Sequence, residues 1–294
     1  MCGIMAAFNL NGINYINQKT LMNSIESVEH RGPDNISFHR DENCFLGHAR
    51  LSIIDTEKSA NQPYAYEDLL LTYNGEIFNY IELKDELIGL GYKFSTVSDT
   101  EVIIKAFHCW GAKCLNKFNG MWAFVIYNKK NKTIFVSRDR FGQKPLFVSF
   151  VGGTYFFSSE AHQLLDYTDH KPNFNIIQKF LKEGGFESEG QTFFFDIEEF
   201  PKAHYFVISK KNIKSYRYWS YPTEKSKKTT VQCFQDFEDL LEDAVRIRLR
   251  SDVPIGLLLS GGVDSSIIAS IVKDLLKNNN KLQTFTYSSG DKFD

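Results

Sequence analysis

Residues 121–158 read MWAFVIYNKKNKTIFVSRDRFGQKPLFVSFVGGTYFFS. Four runs rich in aromatic and β-branched residues stand in this stretch: Met121 to Tyr127, Thr133 to Ser137, Pro145 to Phe150 and Thr154 to Ser158. Charged or glycine-bearing connections separate them, the pattern of successive strands. Working outward, Ile4 to Phe8 and Leu69 to Tyr73 read as further strands, and Phe45 to Ile54 as a strand and turn. Leu21 to Val28 has helical spacing. Asn79 to Leu90 repeats apolar residues at helical intervals and ends at Gly91, a plausible cap. Ser98-Asp-Thr-Glu101 reads as a capping box in front of Val102 to Phe107. The expected fold of residues 1–210 is a sheet-rich α+β domain.

Tyr221-Pro-Thr-Glu-Lys-Ser-Lys-Lys-Thr-Thr230 is polar and without periodicity, so residues 211–230 read as a linker. The pattern then changes. Val231 to Arg250 is a long amphipathic helix, Ile255 to Leu259 an apolar strand, Ser260 to Ser266 a glycine loop, Ile267 to Leu276 a helix and Leu282 to Tyr287 a second apolar strand. This is one β-loop-α-β unit, the opening of a doubly wound α/β sheet. Residues 231–294 are too few to cover both faces of such a sheet, so the second domain is expected to be incomplete.

Composition removes several classes. The chain has 294 residues, 43% of them hydrophobic and 24% charged, with a net charge of −2. That is globular composition, and it argues against a protein built to coat nucleic acid or an anionic membrane. No apolar run approaches a membrane span, and the first ten residues lack the marks of a signal peptide, so a cytoplasmic location is expected. The five cysteines are irregularly spaced, and neither a disulfide framework nor structural zinc is expected.

Cys2 follows the initiator Met. If Met1 is removed, the exposed α-amine, with a pKa of about 7.7–8, can act as general base for its own thiol. A thiolate attacking an amide needs oxyanion donors, and Asn74 with the Gly75 N–H can supply them. An amino-acid substrate needs a cation for its carboxylate, for which Arg50 is suited, and an anion for its ammonium, for which Asp99 is the candidate. Each residue also has a plainer reading: Asn74-Gly75 as a turn dipeptide, Arg50 as a surface charge, Asp99 as part of a helix cap. His30, His48 and the basic run Arg246 to Arg250 read as structural.

Met1-Cys-Gly-Ile4, His30-Arg-Gly-Pro-Asp34, Gly47-His-Ala-Arg-Leu-Ser-Ile-Ile-Asp55, Asn61-Gln-Pro63, Tyr73-Asn-Gly-Glu-Ile-Phe-Asn-Tyr80, Ser98-Asp-Thr-Glu101 and Arg138-Asp-Arg-Phe-Gly-Gln-Lys-Pro145 occur in this order. Together they strongly resemble the glutamine-hydrolysing asparagine synthetases. The resemblance implies an N-terminal class II glutamine amidotransferase domain, an αββα sandwich of the N-terminal nucleophile type. It implies Cys2 as nucleophile, Asn74 and Gly75 as oxyanion hole, and a glutamine pocket of Arg50, Leu51, Ser52, Ile53, Ile54, Asn74, Gly75, Glu76 and Asp99. Arg138 to Pro145 and Phe157 to Glu160 read as interior and interdomain packing with no contact to substrate.

Ser260-Gly-Gly-Val-Asp-Ser-Ser266 lacks the Gly-Lys-[Ser/Thr] ending of a Walker loop. Its glycines, hydroxyls and following helix suit a phosphate, and Asp264 offers an oxygen to Mg²⁺. It resembles the pyrophosphate loop of ATP pyrophosphatases. By resemblance, ATP contacts are expected from Leu258, Ser260, Gly261, Gly262, Asp264, Ser265, Ser266 and Tyr287, the last standing where the family more often has a small aliphatic residue. The implied reaction takes ammonia from L-glutamine and uses ATP and Mg²⁺ to amidate aspartate or another carboxylate, such as a sugar acid. This chain alone is expected to be glutaminase-competent at most, with a complementing synthetase polypeptide or a homodimer as partner; a partner-dependent subunit or inactive remnant is the non-enzymatic alternative.

Overall fold

A computed structural model describes residues 1–184, 190–210, 213–224, 227–276 and 282–287. They fall into two compact units, Met1–Tyr221 and Pro222–Asp294. In the first half of unit 1 the chain runs β1 (Gly3–Phe8), α1 (Gln18–Glu26), β2 (Asn35–Arg40), β3 (Cys44–Arg50), β4 (Tyr64–Tyr66), β5 (Leu69–Ile77), α2 (Tyr80–Gly89), α3 (Asp99–Trp110) and α4 (Cys114–Lys117). It continues as β6 (Gly120–Asn128), β7 (Thr133–Arg138), β8 (Phe147–Val151), β9 (Thr154–Ser158), α5 (Phe174–Glu183), β10 (Glu198–Glu199), β11 (His204–Ile208) and β12 (Ile213–Arg217).

The strands form two six-stranded antiparallel sheets, ordered β10-β8-β9-β1-β3-β2 and β12-β11-β7-β6-β5-β4. Three apolar clusters define the layers. Met5 and Ala7 pack on Leu21 and Ile25 of α1. Ile4, Ala6 and Phe8 face the other way, onto Val125 and Tyr127 of β6. Phe124 and Ile126 of β6 then pack on Val102, Ile103 and Ala106 of α3. The order is helix, sheet, sheet, helix, the expected αββα sandwich. It also explains why β1 reads as unbroken apolar sequence: both of its faces are buried, so alternation disappears. Each fully buried large side chain contributes on the order of 1.5–3 kcal/mol through removal from water.

The four runs of residues 121–158 are strands as expected, β6 and β7 in one sheet and β8 and β9 in the other. Three expectations need correction. Asn74-Gly75 is no turn, because β5 continues through it and pairs Asn74 with Ala123 and Gly75 with Trp122. Residues 213–217 are not linker; β12 pairs with β11 from His204↔Arg217 to Ile208↔Ile213, so the first unit extends to Tyr221. Of the expected linker, residues 211, 212, 225 and 226 lie outside the described ones. Ser98 does cap α3, accepting from the Thr100 N–H, but Glu101 does not complete a box with it and binds Ser95 and Thr96 instead.

Unit 2 contains α6 (Thr230–Arg248), β13 (Gly256–Leu258), α7 (Val263–Leu275) and β14 (Gln283–Phe285). β13 and β14 are parallel, in register Gly256↔Gln283 to Leu258↔Phe285, as a β-loop-α-β unit requires. Val245, Ile247 and Val272 are its buried apolar residues among the described ones, whereas Val231, Phe234, Phe237 and Leu240 on α6 are exposed.

Phe157 is fully buried between the two sheets, edge-on to Phe200. Phe157→Ala should cost about 3–5 kcal/mol, measured as a lower urea midpoint with an unchanged slope.

Candidate active site

Cys2 stands immediately before β1, at the edge of the inter-sheet core. The peptide of Leu51, just past β3, brackets its thiol: the Leu51 N–H donates to Sγ at 3.4 Å, and the thiol donates to the Leu51 carbonyl at 3.6 Å. Arg31 Nε holds the Cys2 carbonyl at 3.1 Å while its Nη1 pairs with Glu160 at 2.9 Å. Gly32 lies so close to β3 that a Cβ there would meet the Ala49 carbonyl oxygen at 2.2 Å, and Asp34 accepts the Ser52 N–H at 2.7 Å. The motif His30 to Asp34 thus holds Cys2 and the chain after β3 in place. Burial pushes the Cys2 thiol above its usual 9.0, so the nucleophile needs a base. Burial also lowers the Met1 amine below its usual 8.0. His48 is not that base: burial drives it down to about 3, and its Nε2–H donates to the Tyr73 carbonyl at 3.0 Å.

Opposite Cys2, β5 presents Asn74 and Gly75. The Asn74 amide is buried, and neither its Nδ2 nor its Oδ1 has a hydrogen-bond partner among the described residues. Gly75 passes so close to β6 that a Cβ would lie 2.1 Å from the Met121 carbonyl oxygen. Only glycine allows this approach. Gln62 fixes the same strand by accepting the Tyr73 N–H at 2.7 Å.

Charged side chains complete the wall. Arg50 is buried; its Nη1 donates to the Glu57 carbonyl at 2.8 Å and to Asn61 at 2.7 Å, and its Nη2 to the Asp55 carbonyl. Three of five guanidinium donors therefore hold the loop after β3, and Nε with the second Nη2 proton remains as a fork. Asp99, the first residue of α3, accepts from the Tyr73 hydroxyl at 2.9 Å and the Ile77 N–H at 3.0 Å through one oxygen. Burial raises its carboxyl above the usual 3.8, and burial with the nearby Asp99 charge raises Glu76 above 4.5. Behind Asp99, buried Glu101 accepts from the Ser95 and Thr96 N–H groups, at 3.1 and 2.7 Å, and from Lys105 at 2.5 Å. Burial opposes its ionisation, but the Lys105 ammonium and these donors hold it down to about 2.

These residues enclose a cavity of about 170 Å³ lined by Met1, Cys2, Arg50, Leu51, Ile53, Ile54, Gln62, Tyr73, Asn74, Gly75, Glu76, Asp99, Met121 and Lys144, among others. The volume lies below the several hundred Å³ of drug-sized sites, as suits a small metabolite. The structure brings together nearly every residue expected for a glutamine pocket. Ser52 is the exception: it does not line the cavity, and its N–H is taken by Asp34. Lys144 is the converse. The sequence reading assigned its motif to packing, yet Lys144 is buried in the cavity wall. Gln62, Tyr73 and Met121 were also missed. Only the clustering of Arg138, Asp139 and Gly142 around Lys144 could have signalled a shaped loop there.

In unit 2, Gly261 adopts φ +81° and Gly262 caps α7 without any side-chain hydrogen bond, so the first N–H groups of the helix remain open to a ligand. Ser265 and Ser266 hydroxyls turn back to the Gly262 carbonyl, at 3.1 and 2.8 Å, and Ser260 meets Ser265 at 3.1 Å. Leu258 and Tyr287 stand exposed at the carboxyl ends of the paired parallel strands, beside this loop. Such strand ends are where open α/β sheets bind ligands.

Residues 1–219 match the family model of the glutamine amidotransferase domain, and residues 236–294 match that of asparagine synthase. The chain is 31% identical to asparagine synthetase [glutamine-hydrolyzing] 3 of Bacillus subtilis over 98% of its own length and 48% of the relative's. To asparagine synthetase [glutamine-hydrolyzing] 1 of the same organism it is 33% identical, over 97% and 45%. Amidase chyE of Penicillium rubens is 32% identical, over 89% and 39%. The chain thus spans about half the length of the curated relatives it matches. Among solved structures, the glutamine phosphoribosylpyrophosphate amidotransferase of B. subtilis, complexed with ADP and GMP, shares the fold with a TM-score of 0.54 at 17% identity, over 97% of this chain and 65% of that one.

Because the folded-state pKa of Glu101 lies below its usual 4.5, its stabilisation is complete above that pH and is lost as pH falls toward about 2. Glu101→Gln should therefore lower the urea midpoint at pH 7, and the gap to wild type should narrow steadily below pH 4.5. A pH-independent gap would mean that shape, not charge, matters at this position.

Proposed function

Since the chain belongs to the glutamine amidotransferase family, with an asparagine synthase segment behind that domain, we propose that unit 1 hydrolyses L-glutamine at Cys2 and releases ammonia. Sγ attacks the side-chain amide carbon of glutamine. The carbonyl oxygen takes the charge and accepts hydrogen bonds from the Asn74 amide and the Gly75 N–H. The C–N bond then breaks, ammonia leaves with the proton drawn from the thiol, and a γ-glutamyl thioester remains. Water attacks the thioester, the C–S bond breaks, glutamate departs and the thiol regains its proton. The free fork of Arg50 holds the α-carboxylate, and the second oxygen of Asp99 holds the α-ammonium, with Glu76 beside it. The base is the α-amine of Cys2 after loss of Met1. An amine in this enclosed position is depressed toward working pH, in the direction already seen at Met1.

One observation carries this reading. A buried amide with both polar atoms unsatisfied is costly and rare; the Asn74 amide has that character in the same cavity as the Cys2 thiol. An oxyanion supplies the acceptor that its Nδ2 lacks.

For unit 2, we propose that Ser260 to Ser266 take the phosphates of ATP and that the ammonia amidates a carboxylate, aspartate by similarity to the synthetases. The open N–H groups at the start of α7 suit phosphate. Asp264, exposed in the first turn of α7, would offer an oxygen to the Mg²⁺ that accompanies ATP. ATP with Mg²⁺ supplies activation of the carboxylate. The exposed apolar residues of α6 support cover by further synthetase polypeptide or a second copy.

The test is glutamate release by the purified chain beside Cys2→Ala, which should abolish it. Intact mass should show loss of Met1 in the active protein; full activity with Met1 retained would overturn the base assignment. Asn74→Ala should lower kcat by about 10²–10³-fold, with a thermal midpoint equal to or above wild type, because the mutation removes an unpaired buried amide. An Asn74→Ala protein of normal kcat would sink the oxyanion role.

A further inference from the structure

Lys144 has no part in the chemistry above, yet the loop that carries it is heavily clamped. The fully buried Asp139 carboxylate accepts the N–H groups of Phe141, Gln143 and Lys144, each at 3.0 Å, and that of Trp122 at 3.2 Å. Arg138 donates to the carbonyls of Gly142 and Lys144 at 2.8 Å and of Phe200 at 2.7 Å, and pairs with Glu199 at 2.7 Å. Gly142, at φ +70°, makes the turn. The backbone of residues 138–144 is thereby fixed from both sides, and the side chain it presents to the cavity is a lysine.

That lysine is 5% exposed and lines the cavity with Cys2, Asn74, Gly75 and Glu76. No hydrogen bond or ion pair engages its Nζ among the described residues. Nζ is not among the fully enclosed unpartnered atoms, so the ammonium opens onto the cavity rather than onto apolar packing. Burial disfavours its charged form, and the charges of Glu76, the Cys2 sulfur and Asp139 act to keep it protonated. Lys144 and Arg31 in turn act on the amino terminus.

Resting on the reading of Cys2 as nucleophile, we propose that Lys144 is a positioning residue of this site: its ammonium balances the negative charge that forms at Cys2 and keeps Glu76 ionised on the cavity wall. The groups facing Cys2 are then two cations from outside the substrate, Arg31 and Lys144; the substrate clamp Arg50; the anions Glu76 and Asp99; the Tyr73 hydroxyl; and the terminal amine. Of the side-chain cations among them, Lys144 alone has no hydrogen bond among the described residues, so it is free to follow charge as it moves to and from sulfur.

The experiment is the pH dependence of Cys2 alkylation by iodoacetamide, read by peptide mass, in wild type, Lys144→Met and Lys144→Arg. It needs no glutamine turnover, so it separates this proposal from the proposed activity, which Cys2→Ala tests. In Lys144→Met the inflection should move up by about one pH unit, with alkylation at neutral pH about tenfold slower. Lys144→Arg should restore most of the shift. With glutamine, Lys144→Met should lower kcat while KM changes little. An inflection unmoved in folded Lys144→Met would overturn the proposal, as would a loss that Lys144→Arg fails to restore. If Lys144→Met does not fold, Glu76→Gln provides the opposite displacement: with the competing anion neutralised, the inflection should fall, and an unmoved inflection counts against Lys144 as the balancing charge.

Discussion

Burial of Ile4, Ala6 and Phe8 against Val125 and Tyr127 brings an amino terminus to the middle of a folded domain. Chain ends usually lie at the surface and fray. Here β1 is inserted between β9 and β3, so the residue before it has no freedom to leave. The same inter-sheet core sets the spacing between β1 and β5 on the facing sheet, and hence the separation of the Cys2 thiol from the Asn74 amide. The site is a by-product of two sheets packed face to face, each supplying one reacting group at its edge.

Around that edge, buried charge is managed in two ways. Asp139 and Glu101 are saturated by backbone groups and neighbours, and Arg138 has four of its five donors engaged; they shape loops. Arg50, Asp99 and Asn74 are only partly satisfied or not at all, and they face the cavity. Buried polar groups with spare valence are expensive to keep, and natural folds retain them where a ligand completes them.

Much of this was legible in the sequence, and the failures have physical causes. β1 and β6 were found because burial on both faces makes continuous apolar runs. The ordered motifs located nearly all of the cavity wall. Asn74-Gly75 misled because the dipeptide is the commonest turn signal, whereas here glycine is demanded by the 2.1 Å approach to the Met121 carbonyl, a long-range contact that local propensity does not contain. β12 was taken for linker because an exposed edge strand, Ile213-Lys-Ser-Tyr-Arg217, carries no apolar alternation on which to base a reading. Lys144 was hidden because its motif, Arg138 to Pro145, reads as interior and interdomain packing; only the closure of residues 138–144 around Asp139 turns the side chain to the cavity.

The central place of β1 also sets a clock. Its partners β3 and β9 pair across large sequence separations, as in Met5↔Gly47 and Met5↔Ser158. On a ribosome adding about 5–20 residues per second, the first residues emerge on the order of ten seconds before β9 exists to enclose them. Throughout that interval the initiator methionine is open to an aminopeptidase; afterwards it stands at the mouth of a closed cavity. Any processing of the amino terminus would therefore find its widest opening during synthesis, before β1 is enclosed on both sides, although the Met1 side chain remains exposed in the folded domain.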